Sequence, residues 1–321
     1  MQYECAPMEG VTGDIFRQVQ RQHFAPADKY YTPFLSPTAN RTFSPRELRE
    51  ILPEHNAGVR VIPQLMGHCA EDFLWMAGEL KRMGYDEVNF NLGCPSGTVV
   101  SKKKGSGLLA ERELLERFLD EVFEKTPVTV SVKTRIGKQR PEEFPALLEL
   151  FNRYPIEELI VHPRVQTDQY GGHPNLEAFA LAQAQSRAIV CYNGDLFNAP
   201  AVETFCARFP QTERLMLGRG LAANPGLIGQ LQTGKPVTGA QLRDFHDHLY
   251  DETRRRIPDG RALLFRMKEA WRYLGCSFRD AERCLKPIRK AQRLPEYESA
   301  VRDLFAACEV RPDAGYYVHT Y

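Results

Sequence analysis

Short apolar runs alternate with stretches of helical period through the first two-thirds of the chain. Eight runs read as strands: residues 3–8, 29–34, 59–66, 87–92, 128–134, 158–162, 188–193 and 214–217. Between several of them the apolar positions recur every three or four residues. The clearest case is 107–125, with Leu108, Leu109, Leu114, Leu115, Phe118, Leu119 and Val122 on one face, ending before Thr126-Pro127. Strand–helix alternation repeated eight times in a stretch of this size predicts a TIM (β/α)8 barrel, with a doubly wound sheet as the competing architecture. After residue 230 the pattern changes. Residues 231–238, with Gly234 and Pro236, read as a linker, and 240–255, 260–275, 278–293 and 296–308 read as helices. The expected organisation is an α/β barrel over 1–232, a small all-helical domain over 240–310 and a loosely ordered tail over 311–321.

A barrel gathers its functional side chains where strands end and βα loops begin. Polar residues stand at those ends. Strand one runs into Pro7-Met8-Glu9-Gly10, strand three ends in Gln64, and strand four ends in Asn91 and Cys94. Strand five carries Lys133 and Arg135, and strand six carries His162 and Arg164. Strand seven closes in Asn193-Gly194-Asp195 and strand eight in Gly218-Arg219-Gly220. A basic, glycine-rich loop, Lys102-Lys103-Lys104-Gly105-Ser106-Gly107, follows Cys94 and matches neither a Walker A nor a GxGxxG pattern. By itself, a cysteine there reads first as a packing residue.

Composition narrows the class. With 321 residues, 43% apolar and 26% charged, the chain suits one large soluble core and a smaller one. No apolar run approaches the roughly 20 residues of a membrane span, and MQYECAPMEG lacks the basic and apolar regions of a secretion leader. The eight cysteines form no CxxC pair, and adjacency of His68 and Cys69 is poor zinc geometry, so reduced thiols, a cytoplasmic location and no metal are expected. Net charge is only +1, yet residues 251–293 hold thirteen Lys or Arg against six Asp or Glu. That imbalance points to a polyphosphate partner, and Arg266, Lys268 and Arg272 are assigned to its face.

Strands seven and eight of such barrels commonly hold a phosphate. There, Asn193-Gly194-Asp195 and Gly218-Arg219-Gly220 offer close-approach backbone and one guanidinium, while Lys133 puts positive charge in the mouth. Together they suit flavin mononucleotide, although Lys133 also fits a Schiff-base lysine and Arg219 also fits a pair with Asp195.

The segments Ala6-Pro7-Met8-Glu9-Gly10-Val11-Thr12, Asn91-Leu92-Gly93-Cys94-Pro95-Ser96, Val132-Lys133-Thr134-Arg135-Ile136-Gly137, His162-Pro163-Arg164, Asn193-Gly194-Asp195 and Gly218-Arg219-Gly220 resemble, in order, the motifs of the tRNA-dihydrouridine synthases. The resemblance spans residues 3 to about 228. It implies an FMN-bearing barrel, a helical domain that holds tRNA, NADPH as reductant, and reduction of uridine C5=C6 to 5,6-dihydrouridine. Carried over, Pro7, Met8, Glu9, Gln64, Lys133, His162, Asn193, Gly194, Asp195, Gly218 and Arg219 would bind FMN. Asn91, Arg135 and Arg164 would serve the substrate base and its loop, and Lys102 and Lys104 its phosphates. Cys94 would give C5 a proton while flavin N5 gives C6 a hydride. An ordinary thiol, with pKa about 8.5, is mostly protonated at neutral pH and needs no prior loading.

Departures stand after His162-Pro163-Arg164, where Val165 replaces the family's usual Thr and Asp168 its usual Gln. The competing functions are a flavin ene-reductase for a small unsaturated molecule, for which a basic helical tail has no use, and a non-catalytic tRNA-binding protein. A monomer is expected.

Overall fold

Parallel ladders join the apolar runs into one nine-stranded sheet in this computed structural model, which describes residues 1–38 and 40–317. The strands are β1 (Gln2–Cys5), β2 (Lys29–Tyr31), β3 (Val61–Ile62), β4 (Gln64–Leu65), β5 (Glu87–Leu92), β6 (Thr129–Arg135), β7 (Glu158–His162), β8 (Ile189–Tyr192) and β9 (Arg214–Leu217). Their spatial order is β3-β2-β1-β9-β8-β7-β6-β5-β4. First and last strands are neighbours, and the two ends of the list are consecutive in sequence. The sheet is therefore a barrel, and the doubly wound alternative falls.

The third predicted strand is the one that differs. Pro63 has no N–H to give a ladder, and the strand breaks there into β3, which pairs with β2, and β4, which pairs with β5. Across the break Thr32 Oγ1 accepts the Gln64 N–H at 3.0 Å, so a side chain does what a neighbouring carbonyl would do.

Alternation along the strands stacks the interior in layers. Near the strand starts lie Glu4, Lys29, Glu87 and Glu158, all buried, with Arg214 beside them. Above them Ala6, Tyr31, Ile62, Ile160, Cys191 and Met216 form a buried apolar layer. Two residues further on come Gln64, Lys133, His162 and Asn193. Outward-facing positions pack on helices: Phe90 meets Phe118 of the helix Arg112–Lys125 at 4.6 Å and Phe73 of the helix Ala70–Arg82 at 5.5 Å. The helix expected from 107 starts only at Arg112. A 3-10 stretch, Gly105–Ala110, precedes it, because Gly107 lies so close to Val100 that a Cβ would sit 2.7 Å from its carbonyl oxygen.

The chain divides into two compact units: Met1–Pro7, Lys29–Gly194 and Gln211–Met216 in one, and Met8–Asp28, Asp195–Pro210 and the residues from Leu217 onward in the other. The second unit is helical, with Gly239–Arg256, Gly260–Leu274, Glu282–Lys290 and Leu294–Ala307 its longer C-terminal members. Its core centres on Tyr297, whose hydroxyl meets His246 Nε2 at 2.7 Å and accepts from Trp271 Nε1 at 2.9 Å. Residues 278–281 are not helical as expected, since Phe278 bridges Val310 and Arg279 N–H donates to the Glu309 carbonyl. Nor is the tail loose as far as 317. The Gln230 amide donates to the Pro312 carbonyl, Asn224 to that of Ala314, and Tyr316 N–H to that of Phe197. Residues 318–321 lie outside the described residues.

Candidate active site

A rail of side-chain amides crosses the floor of the barrel mouth. Asn89 Nδ2 donates to Ser131 Oγ at 3.0 Å, Gln64 Nε2 to Asn89 Oδ1 at 2.8 Å, and Asn91 Nδ2 to Gln64 Oε1 at 2.7 Å. Each amide fixes the next one's orientation. At the end of the rail Asn91 Oδ1 accepts the N–H groups of Gly93 and Cys94, both at 3.0 Å. The Cys94 carbonyl in turn accepts Ser106 Oγ at 2.8 Å and Ser106 N–H at 3.1 Å. Gly105, at φ +54°, lets this loop close, because a Cβ there would lie 2.9 Å from the Cys94 carbonyl oxygen. The half-buried Cys94 thiol is thus carried on a backbone pinned from both sides.

Three residues expected at the substrate make contacts within the chain. Asn91 spends its carboxamide on the rail and the cysteine backbone. Arg135 is buried and donates to the carbonyls of Gly93 (2.9 Å), Val165 (2.8 Å) and Gln169 (2.6 Å), tying the loop after β5 to the loop after β7. Arg164, also buried, donates to the Gly171 and Gly172 carbonyls at 2.9 and 2.8 Å. Its Nη1 lies 3.1 Å from His162 Nε2. A guanidinium can only donate, so Nε2 accepts and the imidazole carries its proton on Nδ1. Asp168, the departure from the family pattern, accepts the Val165 N–H at 3.0 Å. Its charge is engaged within its own turn.

Lys133 has no hydrogen-bond or carboxylate partner among the described residues. Burial first, and Arg135 second, bring its pKa down to about 8. The folded pKa is thus below the ordinary lysine value, so the protonated form opposes folding at neutral pH. That penalty is complete below about pH 8 and is relieved as pH rises from there toward the unfolded value. In protein freed of cofactor, Lys133→Met is expected to raise the melting temperature at pH 7, by an amount that shrinks between pH 8 and 10. A Met variant that melts below wild type at pH 7 contradicts this.

Two rim residues had been given no functional role from the sequence. His68, just after β4, has a buried Nδ1 without a partner, and its pKa is lowered by burial first and then by Lys104. Tyr170 is exposed, with the Arg135 guanidinium 5.5 Å from its ring centre and the His162 ring 6.3 Å away. The signal for Tyr170 was an aromatic in a Gly-rich polar loop. Of the basic loop, Lys103 pairs with Glu111 at 3.0 Å, while Lys102 and Lys104 have no ion pair among the described residues.

Pro7 follows β1 in the barrel unit, where Asn193 donates to the Met216 carbonyl at 2.8 Å and Gly194 abuts the Tyr192 ring. The other predicted residues belong to the second unit. Met8 N–H donates to Thr12 Oγ1 at 2.8 Å, starting the turn that holds Glu9 and Gly10. Gly218 precedes the short helix Arg219–Ala223. Arg219 pairs with Asp195 at 2.8 Å and lies over the rings of Phe197 (4.7 Å) and Tyr316 (5.2 Å). The pairing alternative raised by the sequence is therefore the arrangement present. Arg266 donates to the Gly10 carbonyl at 2.7 Å and Lys268 to that of Ala291, which leaves Arg272 as the exposed member of that predicted face.

The barrel is that of known oxidoreductases. It superposes on the old yellow enzyme homologue of Zymomonas mobilis with a TM-score of 0.51 at 13% identity, covering 74% of this chain and 89% of that one. A morphinone reductase solved with tetrahydroNAD gives 0.51 at 15% identity, covering 73% and 86%. At that identity the likeness concerns the fold alone. Sequence goes further: the dihydrouridine synthase (Dus) family model matches residues 4–275, and the chain belongs to that family of oxidoreductases. The tRNA-dihydrouridine(16) synthase of Pseudomonas putida is 28% identical over 260 residues, 78% of this chain and 79% of its own. Those of Aquipseudomonas alcaligenes and Shigella flexneri are each 24% identical, covering 91% and 94% of this chain and 96% and 98% of theirs.

Proposed function

We propose that this protein reduces the C5=C6 bond of a uridine in tRNA to 5,6-dihydrouridine, with FMN as bound cofactor and NADPH as electron donor. The observation that carries the reading is a thiol on a pinned backbone at the end of β5, with an uncompensated lysine at the matching position of β6 (Asn91 pairs with Lys133 in the ladder). The residues fit the cofactor. A cation with no counter-charge, beside oriented amides, favours a group able to carry negative charge. Gln64, Lys133, His162 and Asn193 would hold it in the barrel unit. In the second unit Arg219, once its bond to Asp195 is exchanged, and the backbone of Met8, Glu9 and Gly218 have the donors that a phosphate needs. FMN, when bound, supplies the hydride.

The chain's own contribution is the acid and its placement. Asn91 and Ser106 hold the backbone of Cys94, and Arg135 fixes the carbonyl of Gly93 next to it. The thiol proton then goes to C5 as the S–H electron pair returns to sulfur and the ring's enolate-like carbon forms its C–H bond. The target base must leave its stack to reach a barrel mouth, which costs a few kcal/mol and is offset by stacking within the site. Arg164 sets the His162 tautomer, with the ring proton on Nδ1.

The relatives that align over nearly their whole length, helical region included, are named tRNA-dihydrouridine(16) synthase. On that ground position 16 is the proposed target. The test is to map dihydrouridine by mass spectrometry in tRNA from cells with and without the gene. Loss at position 16 alone is expected. Loss elsewhere overturns the position, and an unchanged map overturns the activity.

A further inference from the structure

The helix Gly260–Leu274 buries Leu263, Leu264, Met267, Trp271 and Leu274. Its other face is unusual, because Phe265 stands 71% exposed there. Spacings of four, three and four residues place Arg261, Phe265, Lys268 and Arg272 along a single stripe of that helix. Arg261 and Arg272 are exposed and have no ion pair among the described residues. Lys268 is held by the Ala291 carbonyl. The nearby acid, Glu269, is 4.0 Å from Arg266 and adjoins Gly10, so it is engaged rather than free to neutralise the stripe.

An exposed phenyl ring flanked by unpaired guanidinium groups offers a partner one flat apolar face and two sites for negative charge. Its neighbours one turn away on the helix are Arg261, Ala262, Lys268 and Glu269, small or charged rather than the apolar set a protein core would supply. A nucleotide uses the face and the charged sites at once: its base stacks on the ring, and the phosphates on either side meet the arginines. Many other bases of this region are already paired within the chain, Arg255 with Glu252, Arg289 with Glu282 and Arg293 with Glu296 among them. Those pairs take part of the region's positive charge out of play, while Arg261 and Arg272 keep theirs on the Phe265 stripe.

We propose that Phe265 is a base-stacking contact for an unpaired nucleotide of the RNA substrate, with Arg261 and Arg272 gripping the phosphates beside it. This rests on the tRNA reading above and adds a residue and a mode of contact to it. The ring is at the surface, so its replacement leaves the helix core intact.

The test is equilibrium binding of fluorescently labelled tRNA lacking dihydrouridine to the full chain, repeated over a salt series. Phe265→Ala is expected to weaken binding about ten- to a hundredfold with the slope of log affinity against log salt unchanged. Phe265→Trp should stay within a few-fold of wild type, while Phe265→Leu, apolar but without a π face, should behave like Ala. Arg261→Gln and Arg272→Gln should each reduce the salt slope by about one. Equal affinity for the Ala variant overturns the inference, as does a Leu variant that binds like wild type. So does a wild-type dimer that dissociates in the Ala variant with tRNA affinity kept. If the wild-type chain does not bind tRNA at all, the tRNA reading itself falls.

Discussion

Replacing Cys94 by alanine is expected to lower the rate of dihydrouridine formation by about 10²- to 10⁴-fold, the range that a positioned general acid contributes. The loss should appear in the chemical step, because the backbone that carries the thiol is held by Asn91, Ser106 and Gly105 rather than by the sulfur itself. Yellow colour on purification and the affinity for tRNA should therefore be kept. Cys94→Ser should fall nearly as far, since a hydroxyl is a much weaker acid than a thiol. The measurement is single-turnover reduction of tRNA by protein loaded with reduced cofactor, followed by nucleoside mass spectrometry. An alanine variant as fast as wild type would remove Cys94 from the mechanism.

The second large effect concerns stability and lies at the opposite end of the barrel. Lys29 is buried and donates to Glu87 and Glu158, both at 2.9 Å and both buried. Burial pulls the pKa of Lys29 down, but Glu158 and Glu87 outweigh it and the value ends above the ordinary lysine range. A raised lysine pKa stabilises the fold below the unfolded value near 10.4, and that contribution is lost as pH rises through the folded value. Lys29→Met leaves two buried carboxylates short of their shared cation. Breaking a buried pair from one side typically costs about 3–5 kcal/mol, and Arg214, 3.1 Å from Glu158, puts the expected loss toward the lower figure. Urea unfolding at pH 7 should show the midpoint falling at unchanged slope. The double variant Lys29→Met with Glu158→Gln should recover part of the loss. A single-variant loss under about 1 kcal/mol would mean that the network relaxes around the gap.

Much of the barrel was legible because its strands are buried on both faces and read as apolar runs between turn residues. Cys94, Lys133 and His162 were legible for a related reason, since each is a reactive side chain at the place where a barrel strand ends. The contacts that Arg135 and Arg164 make within the chain were not. Both stand at the same kind of position, yet each turns its guanidinium onto carbonyls of neighbouring loops, and a sequence lists neither those carbonyls nor the direction of the side chain. The break at Pro63 was visible as a proline, but its consequence depends on Thr32 lying opposite. Glu4, Lys29, Glu87 and Glu158 drew no attention because single charges at strand starts usually face water. They matter only because four strands bring them to one place. In the helical region the count of bases over acids pointed to a partner, but it could not separate bases paired at home from those left over.

The charged groups at the barrel's two ends do not balance in the same way. Glu4 has its pKa raised well above the usual carboxylate range, by burial first and by Glu158 next. Glu87 meets Lys29 and Arg60 there, and Glu158 meets Lys29 and Arg214. At the other end Lys133 has no carboxylate partner among the described residues, and the buried Arg135 adds a second positive charge near it. The lumen is electrically lopsided, with paired charges at its base beneath a cationic opening, and low-dielectric walls concentrate that field along the axis. Anything that gains electrons in the opening gains them where the surrounding potential already favours negative charge.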